Sequence, residues 1–133
     1  ITTATDTRPP LISNLKVEGN IATTSDQSVT AQLIVSWDTD EPGSSQVDFG
    51  EGTGSTYSQK SQEDGNLTYN HVVVISGLNT SKVYHLRAVS KDKAGNVANS
   101  VDTVSITPKA SDNALNLVIT NLGEVFGFLG NLK

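Results

Sequence analysis

The stretch VYHLRAVSKDKAGN, residues 83–96, alternates apolar and polar side chains and then breaks into a charged, glycine-bearing turn. A period of two marks an extended strand, because successive side chains leave the backbone on opposite faces. Tyr84, Leu86 and Ala88 are therefore expected to point inward, and His85, Arg87 and Ser90 to face water. The strand must end at KDKAGN, which offers little apolar surface to bury. Gly95 and Asn96 suit the positive φ of a tight turn.

The same pattern recurs on both sides of this stretch. SVTAQLIVSW, 28–37, puts Val29, Ala31, Leu33, Val35 and Trp37 on one face, with Thr30, Gln32 and Ser36 opposite and Ile34 as the exception. HVVVISGL, 71–78, is β-branched and ends at Gly77 and Leu78. SVDTVSIT, 100–107, stops at Pro108, which cannot donate to a ladder. PPLISNLKV, 9–17, supplies an opening strand, and SQVDFG, 45–50, a short middle one. Turn chemistry is expected at Asp40-Glu41-Pro42-Gly43, Gly50–Gly54, Asp64-Gly65-Asn66, Asn79–Ser81 and Gly95-Asn96. Strands at short intervals, with no helix among them, indicate an all-β antiparallel sandwich.

Bulk properties narrow the function classes. With 133 residues the chain has the length of one domain with one modest core. Its net charge of −5 and nine scattered Lys and Arg residues argue against a polyphosphate partner. The absence of cysteine excludes disulfides, thiol catalysis and thiolate metal sites. Beginning at Ile1, the chain reads as a processed product or an excised piece. It carries no signal-peptide pattern and no apolar run long enough to span a bilayer.

The strand-embedded Trp37, followed by GLNTSKVYHLRAVSKDKAGN, resembles the fibronectin type III domain. In that family a leucine stands six positions before a tyrosine whose hydroxyl ties back to the preceding chain. Leu78 and Tyr84 have this spacing. SWDTDEPGSSQVDFG is similar to the bacterial subgroup, and to the N-terminal accessory domain of purple-acid-phosphatase-like proteins. DTRPPLISNLKV resembles the inter-domain joint of bacterial tandem arrays. The likeness covers about residues 6–108 and implies an immunoglobulin-like, seven-strand sandwich. It implies little about activity, because this fold hosts many roles.

No constellation suited to catalysis is legible. His71 and His85 read as solvent-exposed strand residues, with no nucleophile elbow, phosphate loop or dinucleotide fingerprint beside them. GEGTGS, 50–55, is Gly-rich, yet no helix pattern follows that would hold a phosphate. The chain is expected not to be an enzyme and to need no cofactor. Calcium is the one candidate ion. Asp38, Asp40 and Glu41 follow the Trp strand, Asp92 and Asn96 follow the Tyr strand, and the N-terminal lead with Asp6 arrives at the same pole. Hard oxygens from three segments suit Ca²⁺, with Asp38, Asp40 and Asp92 as the candidate ligands, although no recognised calcium loop spacing is present. Solvated, turn-favouring carboxylates are the plainer reading. The loop after the Tyr strand lacks Arg-Gly-Asp, so integrin-like binding is unsupported.

Residues 109–133 depart from the strand pattern. Leu115, Val118, Leu122, Val125, Leu129 and Leu132 recur at spacings of three and four, and Ile119 and Phe126 widen the stripe. This predicts a C-terminal amphipathic helix, capped at Ser111 or Asp112. Gly123, Gly127 and Gly130 each cost about 1 kcal/mol against Ala in a helix interior. The apolar face therefore needs a cover: its own sandwich, another chain or, less favoured because the polar face is poor in Lys and Arg, a membrane surface.

The sequence thus divides into a linker, 1–8, a sandwich, 9–108, and a helical tail, 109–133. The expected role is a non-catalytic structural or interaction module of an exported or cell-surface bacterial protein, acting in spacing, display or assembly. Leu115, Val118, Ile119, Leu122, Val125, Phe126 and Leu129 are the expected partner contacts, to another protein or to a second copy. The alternative is a ligand- or carbohydrate-binding accessory module of a secreted hydrolase. Tyr57 and Tyr69 would be its sugar platform.

Overall fold

The computed structural model describes residues 6–110. Seven strands follow one another: β1 (Ile12–Thr23), β2 (Val29–Glu51), β3 (Gln59–Lys60), β4 (Asp64–Leu78), β5 (Val83–Lys91), β6 (Val97–Asn99) and β7 (Thr103–Ile106). Every pairing is antiparallel. β2 is the organiser. Its first part pairs with β1 on one side and β4 on the other, and its last part pairs with β3 and β5. β5 in turn carries β6 and β7.

The change of partner happens at Asp40–Gly43. This segment was expected to be a turn between strands, and it instead lies inside the span of β2. The register against β4 breaks between Asp38 and Gly43, around Pro42, which has no N–H to donate. Asp64-Gly65-Asn66, also expected as a turn, forms the start of β4, where pairing is interrupted by register shifts.

The core draws on all the long inner faces. Ala31, Leu33, Val35, Trp37, Val47 and Phe49 of β2 meet Ile75 and Leu78 of β4 and Tyr84, Leu86 and Ala88 of β5. The inward set of the opening stretch is therefore as its alternation requires. Each fully buried Leu or Val side chain, such as Leu33, contributes roughly 1.5–3 kcal/mol.

Several residues depart from the sequence expectation. Ser90 was assigned to the solvent face but shares the parity of Ala88, and it is fully buried. His71 and His85 are not solvent-exposed: they are 1% and 2% accessible. His85 does point away from the core side, as its parity demands, but another side chain covers it. Val29 is exposed. On β7 the alternation is inverted, because register decides. Thr103 and Ser105 stand opposite Leu86 and Tyr84 and so share their face, leaving Val104 and Ile106 outside. The Tyr84 hydroxyl accepts a hydrogen bond from the Asn79 N–H at 2.9 Å, a tie-back of the kind that the Leu78–Tyr84 spacing implied. Gly95 adopts φ +94° and reverses the chain after β5.

Candidate functional site

Polar side chains gather in three places, each assembled by strand pairing from residues far apart in sequence. The first is the pole where the N-terminal lead meets β2 and the loop after β5. Asp40 Oδ1 accepts the Leu11 N–H at 2.8 Å, and Oδ2 accepts from the Arg8 guanidinium at 2.8 Å. Arg8 also reaches Glu41 at 3.5 Å. Asn96 Nδ2 donates to the Asp6 carbonyl at 3.0 Å, and Arg8 N–H donates to Asp6 Oδ1 at 3.0 Å. The lead is thus laced to the body by both backbone and side chains.

The three segments named from sequence do converge here, but the carboxylates divide their duties. Asp38 accepts from the side-chain amides of Asn14 and Asn70, each at 2.9 Å. Asp40 is held by Leu11 and Arg8. Buried Asp92 accepts from the Asn96 N–H at 2.9 Å and its amide at 3.0 Å. These donors hold all three carboxyls below the usual carboxylate range, led by Asn14 for Asp38, the Leu11 amide for Asp40 and Asn96 for Asp92. Among the described residues, the carboxylates that lie within 4.8 Å of one another are Asp6, Glu41 and Asp92. Glu41 is pushed up by partial desolvation and then by the charges of Asp6 and Asp92. These three side chains supply only part of the six to eight oxygens that Ca²⁺ takes.

The second cluster is internal. His71 stacks on Trp37 with ring centroids 5.0 Å apart and planes 7° from parallel. Its Nε2 lies 2.9 Å from the Thr39 hydroxyl, and its Nδ1 lies 2.7 Å from the Ser45 hydroxyl. Thr39 donates its own proton to the Glu41 carbonyl at 2.7 Å. The network therefore assigns the Nε2–H tautomer, with Ser45 donating to Nδ1. Burial lowers the affinity of the ring for a second proton. Trp37 Nε1–H donates to Ser90 Oγ at 2.9 Å, which is why a serine occupies an inward position.

The third cluster lies on the outward face of β5. Tyr57, from the loop after β2, stacks over His85 at 4.7 Å and donates its hydroxyl proton to Asp102 Oδ1 at 2.6 Å. His85 Nδ1 meets the same oxygen at 2.8 Å. The Arg87 guanidinium sits 4.7 Å above the Tyr57 ring, and its Nε–H donates to Asp48 at 3.0 Å. Asp102 is lowered by the Tyr57 hydrogen bond first and by His85 after it; Tyr57 is raised by burial and by Asp102. A carboxylate-backed histidine suits base chemistry only when its other nitrogen faces a nucleophile. Among the described residues, no side chain forms a hydrogen bond to His85 Nε2. Here the pair seals the loop onto the sheet.

Sequence reasoning did not reach this third cluster. Tyr57, His85 and Asp102 come from two loops and a strand, at spacings that match no motif. Of the tyrosines considered as a sugar platform, Tyr57 is committed to His85 and Asp102. Tyr69 stands 54% exposed on β4. The contact residues Leu115, Val118, Ile119, Leu122, Val125, Phe126 and Leu129 lie outside the described residues. Among the described residues, no helix is long and apolar enough to cross a membrane. Comparison with family models, curated proteins and solved structures finds no match for this chain.

Proposed function

We propose that this chain is a non-catalytic structural module: a seven-strand, fibronectin type III-like sandwich that spaces, displays or assembles an exported or cell-surface protein. The C-terminal segment, read as an amphipathic helix, is its contact element. The observation that carries this reading is the laced N-terminal pole. Asp6, Arg8 and Leu11 are held by the side chains of Asp40 and Asn96 through four hydrogen bonds, which fixes the direction in which the lead leaves the body. A module that transmits position needs a rigid joint of this kind, whereas a free-standing binding domain does not.

The Tyr84–Asn79 tie-back supports the family resemblance. The polar networks support a structural role, since buried His71 and Ser90 and more exposed Asp102 are each committed to holding neighbouring elements together. The alternative reading, a carbohydrate-binding accessory module, is weaker. Of its two tyrosines, Tyr57 lies in the loop after β2, stacked on a histidine, and Tyr69 lies on β4.

Sedimentation of the full chain against a chain ending at Lys109 tests the proposal. Association of the full chain, with a stable monomer for the shorter one, supports a contact element. If both are monomeric and shortening only lowers the melting temperature, the segment completes its own core and the proposed role for it fails.

A further inference from the structure

We propose that the uncharged groove beside the start of β1 receives residues 111–133 of a second copy of this chain, joining copies head to tail. This rests on reading that segment as the contact element. The groove, about 410 Å³, is lined by Leu11, Ile12 and Leu15 at the start of β1 and by Ala98 and Val101 at and after β6. Leu11 is 61% exposed and Val101 is 79% exposed. None of its ten lining residues is charged, in a chain that is 17% charged. Exposed apolar surface of this kind marks interaction sites.

The flanking strands add a second reason. Among the described residues, β1 pairs with β2 alone and β6 with β5 alone, so each leaves one edge unpaired. The β1 ladder also breaks between Ser13 and Lys16, where Asn14 turns to φ +57°. The groove therefore offers apolar side chains and free backbone groups together.

The occupant is argued from charge and from direction. Residues 113–123, NALNLVITNLG, are uncharged, matching an uncharged groove. The segment also leaves its own copy at the far end. Thr107 donates to the Asn79 carbonyl at 2.7 Å and accepts the Lys82 N–H at 2.9 Å. Ser81 N–H donates to the Pro108 carbonyl at 3.0 Å. Pro108 Cδ lies 3.0 Å from where a Gly19 side chain would begin, so the exit packs tightly on β1. Gly19 is roughly 20 Å along β1 from Ser13 at about 3.3 Å per residue. β7 runs toward this anchored exit, away from the groove. A donor at one pole and a receiver at the other make a heterologous contact, which propagates as an open chain rather than closing as a symmetric dimer.

The absence of cysteine makes the test clean. Full-length Val101→Cys is mixed with full-length Leu117→Cys under mild oxidation, and the products are separated by non-reducing electrophoresis and identified by mass. The mixed disulfide dimer is expected to predominate over either homodimer. Val101→Lys, at an exposed position, is expected to abolish association in sedimentation while leaving the melting temperature unchanged. A chain carrying both cysteines that closes into a monomeric ring at high dilution, in preference to linked oligomers, assigns the groove to its own segment and overturns the proposal. If residues 111–133 drive association but no disulfide forms through position 101, the groove assignment fails while the contact-element reading stands. If removing residues 111–133 leaves association unchanged, both readings fail.

Discussion

His71 illustrates how one residue couples the fold to pH. Its ring is enclosed by Trp37, Thr39 and Ser45, and burial lowers its proton affinity below that of an unfolded histidine, near 6.5. Below that pH the unfolded chain binds a proton that the folded chain resists, so this contribution to stability is present above about pH 6.5 and lost as pH falls. Urea unfolding at pH 7.5 and pH 5 is expected to show a larger loss for the native chain than for His71→Gln. Equal losses would show that the enclosure is not what resists the proton. Tyr84 gives a second residue-scale expectation. Tyr84→Phe keeps the ring in the core and removes the acceptor of the Asn79 N–H, with an expected cost of about 1 kcal/mol in equilibrium denaturation. Both effects come from side chains whose hydrogen-bond partners lie five to thirty-two residues away.

At the scale of elements, β2 and the N-terminal lead matter most. β2 changes partners midway, so one strand supplies core residues to both ladder groups. The lead is attached at the point of that change, through Asp40. Asp40→Ala is expected to speed hydrogen exchange at the Leu11 amide and to leave the melting temperature almost unchanged, because exposed ion pairs stabilise little. Unchanged exchange at Leu11 would mean that the Asp40 side chain does not hold the joint. β7 teaches a different lesson. Its sequence alternates as a half-buried strand should, yet its register against β5 turns Val104 and Ile106 outward.

For the whole molecule, one core shared through β2 implies one cooperative unfolding event. Trp37 is the sole tryptophan and lies at the centre of that core, so its fluorescence is expected to change at the same urea concentration as far-ultraviolet circular dichroism. Separate midpoints would show that the two ladder groups unfold independently. By itself the sequence determined the all-β character, the inward faces of residues 31–37 and 84–88, the reversal at Gly95 and the Leu78–Tyr84 spacing. These follow from side-chain period and local backbone preference, which neighbouring residues settle among themselves. It also indicated that Asp6, Asp40 and Asn96 would meet at one pole. Only the tertiary structure decided that Ser90 would satisfy the Trp37 indole, that Tyr57 would cover His85, that His71 would be enclosed and that Val104 would face outward. Each depends on how segments distant in sequence meet, and for the strands that is a matter of register. A shift of one residue in that register sends every side chain to the opposite face, and nothing within a single strand records which register its partner will impose.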